Sequence, residues 1–391
     1  MSAAGDYKFV FLLPVWGKEY TQTFVELCLP LILTEGNLGH FSNREDGGFI
    51  ILTDYRSQVQ LVESSSFKRL QELIDVKIVL IDGRVDFSSS HKAMTDCYIL
   101  GIGDVWVKPN FTNLIFLTPD SFWSDGSFRN LVSAADDGKK CVVVIGLRTK
   151  LEVMREYLGE AIAAQPENPA ISNRELVSRS LKNLHGMAKT HNWLSDSFNN
   201  AWPSNIYWLV DDDLMIAHAY HMHPLMVRAP ARRLAITDSI DGAFISGQSF
   251  KDGECMVVTD SDFILGIEMT KDSREWGSTL SRPSERALKQ FARYFASPMH
   301  TSFFFNRIYF KGCRASDTVP REIQENVDHV IATMDRFYRA RPYMRWRAYH
   351  VIIGYILQFY RRQRGFTRSL TRGVGRLLGE RRRPNKGVAD E

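Results

Sequence analysis

Asn113-Leu-Ile-Phe-Leu-Thr-Pro-Asp-Ser-Phe-Trp-Ser-Asp-Gly126 is the stretch on which the reading of the fold turns. Leu114 to Thr118 have the apolar run of a buried strand, Pro119 stops the ladder, and Asp120 and Asp125 follow in a turn-rich loop. An apolar strand that empties into carboxylates is how an open α/β sheet sets polar ligands at its carboxyl edge. Those carboxylates either do chemistry or cap the helix that starts near Ser127.

Upstream, the chain alternates strand and helix. Tyr7 to Val15, Phe49 to Leu52 and Lys77 to Ile81 read as strands, with helices over Lys18 to Leu33, Phe67 to Ile74 and Ser88 to Val105. Buried strands joined by helices predict an α/β fold with a mainly parallel sheet flanked by helices. Three of the four strands end on an aspartate, Asp54, Asp82 and Asp120. Each alone is an ordinary turn or cap residue; together they point to a polar site.

Downstream, Lys140 to Gly146 predicts a fifth strand and Asn205 to Val210 a sixth apolar run, ending in Asp211-Asp-Asp213. Further strands are expected over Ala219 to Arg228, Ile236 to Asp241, Met256 to Asp262 and Phe263 to Met269, the last carrying Glu268. From Ser284 the pattern is helical. The expected divisions are a catalytic domain over 1–280, a helical extension over 281–345 and an aromatic, basic arm over 346–391.

With 44% hydrophobic and 24% charged residues the 391-residue chain has the composition of a globular protein. Five scattered cysteines without a Cys-x-x-Cys argue against a disulfide framework and a zinc knuckle and for a reducing compartment. The opening residues lack the pattern of a signal peptide, so a cytoplasmic location is expected. No phosphate loop, dinucleotide fingerprint, nucleophile elbow or His-Glu-x-x-His pair occurs.

These features resemble nucleotide-sugar glycosyltransferases of the GT-A fold, including bacterial members without an assigned activity. The resemblance runs from about Lys8 to Thr270. It rests on Leu13-Pro-Val-Trp-Gly17 after the first strand, the β/α alternation leading to the fourth strand, the acidic loop Asp120 to Asp125, and His221-Met-His223-Pro. It implies a Rossmann-like GT-A sheet and transfer of a sugar to a glycan or lipid-linked acceptor, as in bacterial surface polysaccharide synthesis. Mg²⁺ or Mn²⁺ would be held by Asp120, with Asp125 or His223 beside it, to stabilise the leaving diphosphate. Pro14, Trp16, Asp54 and Asp82 would face the nucleotide sugar. Arg148, after the fifth strand, is either a phosphate contact or a surface arginine. Asp238, Asp241 and Glu268, near late strands, are candidates for the base that deprotonates an acceptor hydroxyl.

The sequence departs from the family pattern where it matters. Asp120 and Asp125 are five residues apart, so the Asp-x-Asp spelling is missing after the fourth strand. It occurs later, in Asp211-Asp-Asp213 and Asp260-Ser-Asp262, where a solvated turn is the plain alternative. A rim or core histidine is the alternative for His221 and His223. Nucleotidyl transfer and a non-catalytic scaffold of the same fold are the competing readings. The nucleotidyl reading needs a Gly-rich basic loop after the first strand, of which Pro14-Val-Trp-Gly-Lys18 is a poor version.

The net charge of +4 hides an asymmetry. Arg361 to Arg383 contain nine arginines against Glu380 alone, a local +8 that leaves the rest of the chain at −4. Arg364, Arg368, Arg372 and Arg376 recur at helical spacing beside Leu370, Val374 and Leu377. This is the pattern of an interfacial helix on an anionic membrane, which would put the enzyme peripherally at the inner face; a frayed tail, a helix on an acidic partner, or (least favoured) nucleic-acid binding are the alternatives.

Overall fold

In the computed structural model, Phe9–Pro14 form β1, an interior strand of the main sheet, and every one of its residues is buried. The structure describes residues 6–231, 239–272, 280–316 and 318–340. The chain forms two compact units, residues 1–330 and 331–391, and of the second only 331–340, the end of the helix Arg321–Arg339, is described. The aromatic and basic arm therefore lies outside the described residues, as does Asp238.

The other strands follow in chain order as β2 (Gly47–Thr53), β3 (Asp75–Leu80), β4 (Asn113–Phe116), β5 (Ser121–Trp123), β6 (Cys141–Val144) and β7 (Leu147–Lys150). Next come β8 (Asn205–Leu209), β9 (Leu214–Ala219), β10 (His223–Arg228), β11 (Cys255–Val257), β12 (Gly266–Thr270) and β13 (Ile308–Lys311). Seven of them make the central sheet in the order β11-β6-β10-β4-β1-β2-β3. All neighbours are parallel except β10, which runs antiparallel between β4 and β6. This is the mixed α/β, mainly parallel sheet flanked by helices that the alternation of strands and helices predicts.

β1, β2 and β4 carry unbroken apolar runs because both their faces are covered, each fully buried Leu, Ile or Phe contributing about 1.5–3 kcal/mol. β3 begins two residues earlier than the pattern suggests and is only half-buried, because it is the sheet edge. The first helical stretch is helical over Lys18–Thr23 and Leu29–Ile32 with a π-turn, Phe24–Cys28, between. Pro30 has no N–H to return to the chain one turn earlier, and the widened turn absorbs the break.

The second half departs further from expectation. The run Asn205–Leu209 joins a separate antiparallel sheet, β13-β9-β8, with Asp211 to Asp213 as the hairpin turn between β8 and β9. β9 and β13 are strands that the apolar pattern does not announce. Ile240–Phe244 is a π-turn rather than the end of a strand, and β12 sits in a third sheet, β5-β12-β7. That small sheet continues the fold past the carboxyl ends of β4 and β6.

Asn37 fastens this extension to the core. Fully buried, it donates from Nδ2 to the carbonyls of Leu31, Trp123 and Ser124 at 3.3, 3.1 and 3.1 Å and accepts from Phe128 N–H at 3.0 Å. Gly36 beside it is met by Asp125 and Gly126 so closely that a Cβ there would stand 2.4 Å from the Gly126 nitrogen. Asn37→Ala removes three donated bonds, leaves the buried Phe128 N–H without its acceptor, and is expected to lower stability by roughly 1–3 kcal/mol, read as a shift of the urea midpoint at unchanged slope.

Candidate functional site

The order β3-β2-β1-β4 reverses direction between β1 and β4, and the crevice beyond their carboxyl ends is where an open α/β sheet takes a ligand. β4 leaves this edge through Leu117, Thr118 and Pro119 and arrives at Asp120. Three further devices bring side chains to the same edge.

The first is the small sheet. β12 lies between β5 and β7, with Glu268 opposite Ser121 on one side and Arg148 on the other. Residues opposite one another on adjacent strands share a face, so the guanidinium of Arg148 meets the Glu268 carboxylate at 2.6 and 2.8 Å. The Arg148 fork also reaches Met187 Sδ at 2.7 Å. Both charged side chains keep about a third of their surface exposed, at 30% and 31%, so the pair contributes on the order of 1 kcal/mol. Asp120 follows directly, its carbonyl accepting from Met269 N–H at 2.8 Å.

The second device is the direction of β10. Because it runs antiparallel to β4, its first residue, His223, arrives where β4 ends. His223 Nε2 lies 2.8 Å from the Phe116 carbonyl, so this nitrogen carries the proton and Nδ1 carries the lone pair. Burial lowers the His223 pKa, against the Phe116 carbonyl and the fields of Asp241 and Glu268, which raise it. The imidazole is therefore a neutral acceptor at pH 7. The Trp123 ring lies beside it with centroids 6.3 Å apart, and its buried indole N–H has no hydrogen-bond partner among the described residues.

The third is Tyr207 on β8, buried with its hydroxyl 3.3 Å from Asn205 Nδ2 and raised in pKa first by burial; Arg148 counters this and Glu268 adds to it.

Asp120 bears the consequence. Burial first, then the field of Glu268, push its carboxyl up to about 7, while its own backbone, Thr118 and Arg148 pull the other way. A carboxyl that keeps its proton to this pH can donate a hydrogen bond where an ordinary aspartate only accepts.

The remaining expected residues gather in a second group. Asp54 caps the helix Tyr55–Glu63, accepting from Ser57 N–H at 2.8 Å, and its other oxygen takes Gly17 N–H at 3.2 Å. Asp82 accepts from Tyr55 N–H at 3.0 Å. The ends of β1, β2 and β3 are thus tied at one helix N-terminus. Pro14 closes β1, and Trp16 packs edge-on to Phe87 at 5.8 Å. Asp241 lies within the π-turn, where its carbonyl is 2.8 Å from His300 Nε2.

Asp125 turns away to the Gly36 N–H, 2.8 Å from its Oδ1, and among the described residues no three His, Cys, Asp or Glu side chains converge as a metal cage. Asp120, Asp125 and His223 are thus not gathered into one three-donor group. The two Asp-x-Asp spellings are spent on structure. Asp213 pairs with Ser178 and Arg314, Asp260 with Lys311 and Asp262 with Arg174. A small pocket lined by Leu31, Phe122, Trp123 and Asp125 includes none of Asp120, Arg148 and Glu268.

Sequence reasoning named Asp120, Arg148, Glu268, Asp241 and His223 one at a time. It did not name Trp123 or Tyr207, which have the appearance of core aromatics in any linear pattern, nor that Arg148 and Glu268 are partners.

No protein-family profile matches the chain, and no curated protein matches it. Among solved structures, a crystal structure of S. aureus TarS 1–349 is similar over 36% of each chain, at 8% identity and a TM-score of 0.26. Apo mouse xyloside xylosyltransferase 1 is similar over 41% of this chain and 59% of its own, at 12% identity and a TM-score of 0.22. A putative glucose-1-phosphate thymidylyltransferase from Bacillus anthracis is similar over 36% of this chain and 55% of its own, at 12% identity and a TM-score of 0.23.

The raised Asp120 pKa has a definite sign for stability. The folded chain holds this proton to about pH 7, whereas an unfolded aspartate releases it near 3.9. Its contribution is full below pH 4 and is lost as the pH rises through 7. Asp120→Asn is expected to raise the melting temperature relative to the native chain at pH 8 and to bring no such gain at pH 4, measured by thermal unfolding in matched buffers.

Proposed function

We propose that this chain is a glycosyltransferase that moves a sugar from a nucleotide-sugar donor to a glycan or lipid-linked acceptor. The observation that carries the reading is the cluster of Asp120, Glu268 and Arg148, with neutral His223 beside it, at the carboxyl edge of β4 next to the point where the strand order reverses.

Glycosyl transfer breaks the bond between the anomeric carbon and the diphosphate oxygen, which keeps the electron pair. A bond forms to the acceptor oxygen, whose proton must be taken up. Arg148 has the fork geometry to receive the developing charge on the diphosphate. As it turns toward that charge it loosens its hold on Glu268, and the Glu268 carboxylate then takes the acceptor proton. Asp120, holding its own proton to about pH 7, hydrogen-bonds as a donor beside it. Nδ1 of His223 accepts a further hydrogen bond from a sugar or acceptor hydroxyl. The nucleotide would lie over the ends of β1 and β2, near Trp16, Asp54 and Asp82, and a cation, Mg²⁺ or Mn²⁺, would neutralise the diphosphate when bound.

The basic arm extends the proposal. Nine arginines between Arg361 and Arg383 would hold the enzyme peripherally at an anionic leaflet, where lipid-linked acceptors reside. No described helix is long and apolar enough to cross a membrane. The arm predicts that the full chain floats with vesicles containing anionic lipid and that a chain ending before Arg361 does not; equal flotation of the two removes its anchoring role.

For the chemistry, the full chain is expected to release a nucleoside diphosphate, and not pyrophosphate, from a nucleotide sugar. Pyrophosphate release would instead identify nucleotidyl transfer. Glu268→Gln is expected to lower kcat roughly 10²–10⁴-fold while donor affinity changes little. Arg148→Ala is expected to weaken binding of a nucleoside diphosphate, read by thermal shift. Full activity in Glu268→Gln would sink this assignment of the base.

A further inference from the structure

β11 is a strand of three residues that, among the described residues, pairs with β6 alone at the edge of the sheet. Its first residue, Cys255, lies directly opposite Cys141, the first residue of β6. Adjacent strands stand about 4.8 Å apart, within the Cα separation of roughly 4.4–6.8 Å that a disulfide spans. Both cysteines are free, and as opposed residues of adjacent strands their side chains share one face of the sheet. Cys141 is buried, Cys255 is half-buried at the edge, and Cys313 is the exposed cysteine of the chain.

We propose that Cys141 and Cys255 form a reversible oxidation site, in which a low-molecular-weight disulfide converts the two thiols into a cross-strand disulfide between β6 and β11. The proposal stands on register and on the exposure of Cys255, and it is independent of the glycosyltransferase reading.

The two thiols have different roles. Cys255 is the one a reagent reaches. The neighbouring Cys141 thiol lowers its pKa, burial opposes this, and the charge of Lys139 lowers it further. Next to the two cysteines in the chain, Lys140 and Glu254 pair with each other at 2.6 Å. Cys141 moves the opposite way, raised by the neighbouring Cys255 thiol and by burial. The Cys255 thiolate therefore attacks one sulfur of the external disulfide, breaking that bond and releasing one thiolate. Cys141, losing its proton, then attacks Cys255 Sγ and displaces the second thiolate. Two protein thiols are oxidised and one external disulfide is reduced to two thiols.

The new bond would close a loop that contains β7 to β10, and with them Arg148 and His223. It would tie the weakly held edge strand to the sheet and restrict the unfolded chain.

The test uses the full chain carrying Cys313→Ser, so that the exposed thiol does not report, titrated with oxidised glutathione. Two of the four remaining thiols are expected to disappear, peptide mapping to join Cys141 to Cys255, and dithiothreitol to restore both. The oxidised form is expected to melt several degrees higher. In Cys141→Ser the reaction is expected to stop with glutathione on Cys255; in Cys255→Ser no cross-link is expected. Mapping of the chain with both cysteines decides the matter even where a variant fails to fold. A free Cys255 at every ratio of glutathione, or a mixed disulfide on Cys255 beside an intact Cys141 thiol, overturns the proposal.

Discussion

The antiparallel strand β10, wedged between β4 and β6, is the constraint on which the rest of the molecule depends. Its ladders to both neighbours join β6 and β11 to the parallel half of the sheet. Reversing one strand also reverses which end meets the carboxyl edge. An inserted parallel strand would bring its last residue there; β10 brings its first, His223. The bulge between Pro224 and Met226 follows from the same demand, since Pro224 has no N–H for the β6 ladder.

A second consequence is that the edge needs more than the main sheet to be complete. β5, β12 and β7 form a small sheet across it, and only there do Glu268 and Arg148 become neighbours. Buried Asn37 and the close approach of Gly36 to Gly126 hold the loop after Asp120. Gly266 performs a similar task from the other side, since a Cβ there would stand 2.7 Å from the Trp123 ring. The raised Asp120 carboxyl is the electrostatic cost of this enclosure. Desolvation and a second carboxylate act on it at once, and one arginine does not cancel both.

The aspartates illustrate how differently one residue type is used. Asp54 and Asp82 spend their oxygens on backbone N–H groups at a helix start, Asp125 on Gly36, and Asp213, Asp260 and Asp262 on hydroxyl or basic side chains. Asp120 is the one whose surroundings drive its titration toward neutrality. The literal Asp-x-Asp spellings were therefore poor guides: a short acidic turn is equally good hairpin chemistry, and only the surrounding partners distinguish the two uses.

By itself the sequence determined the first four strands, their alternation with helices and the placing of Asp120 at the end of β4. Those features are local: a buried parallel strand must be apolar throughout, and a helix must bury one stripe. It also singled out Arg148, His223 and Glu268 as residues of the right type near strand ends. The tertiary structure alone decided that Glu268 faces Arg148, that His223 enters from an antiparallel strand, and that Asn205–Leu209 leaves the main sheet. It alone decided, too, that Trp123 and Tyr207 border the site. The physical reason is that strand order, direction and register are long-range choices. A strand's period of two says which face a side chain takes, and nothing in it says which strand lies alongside.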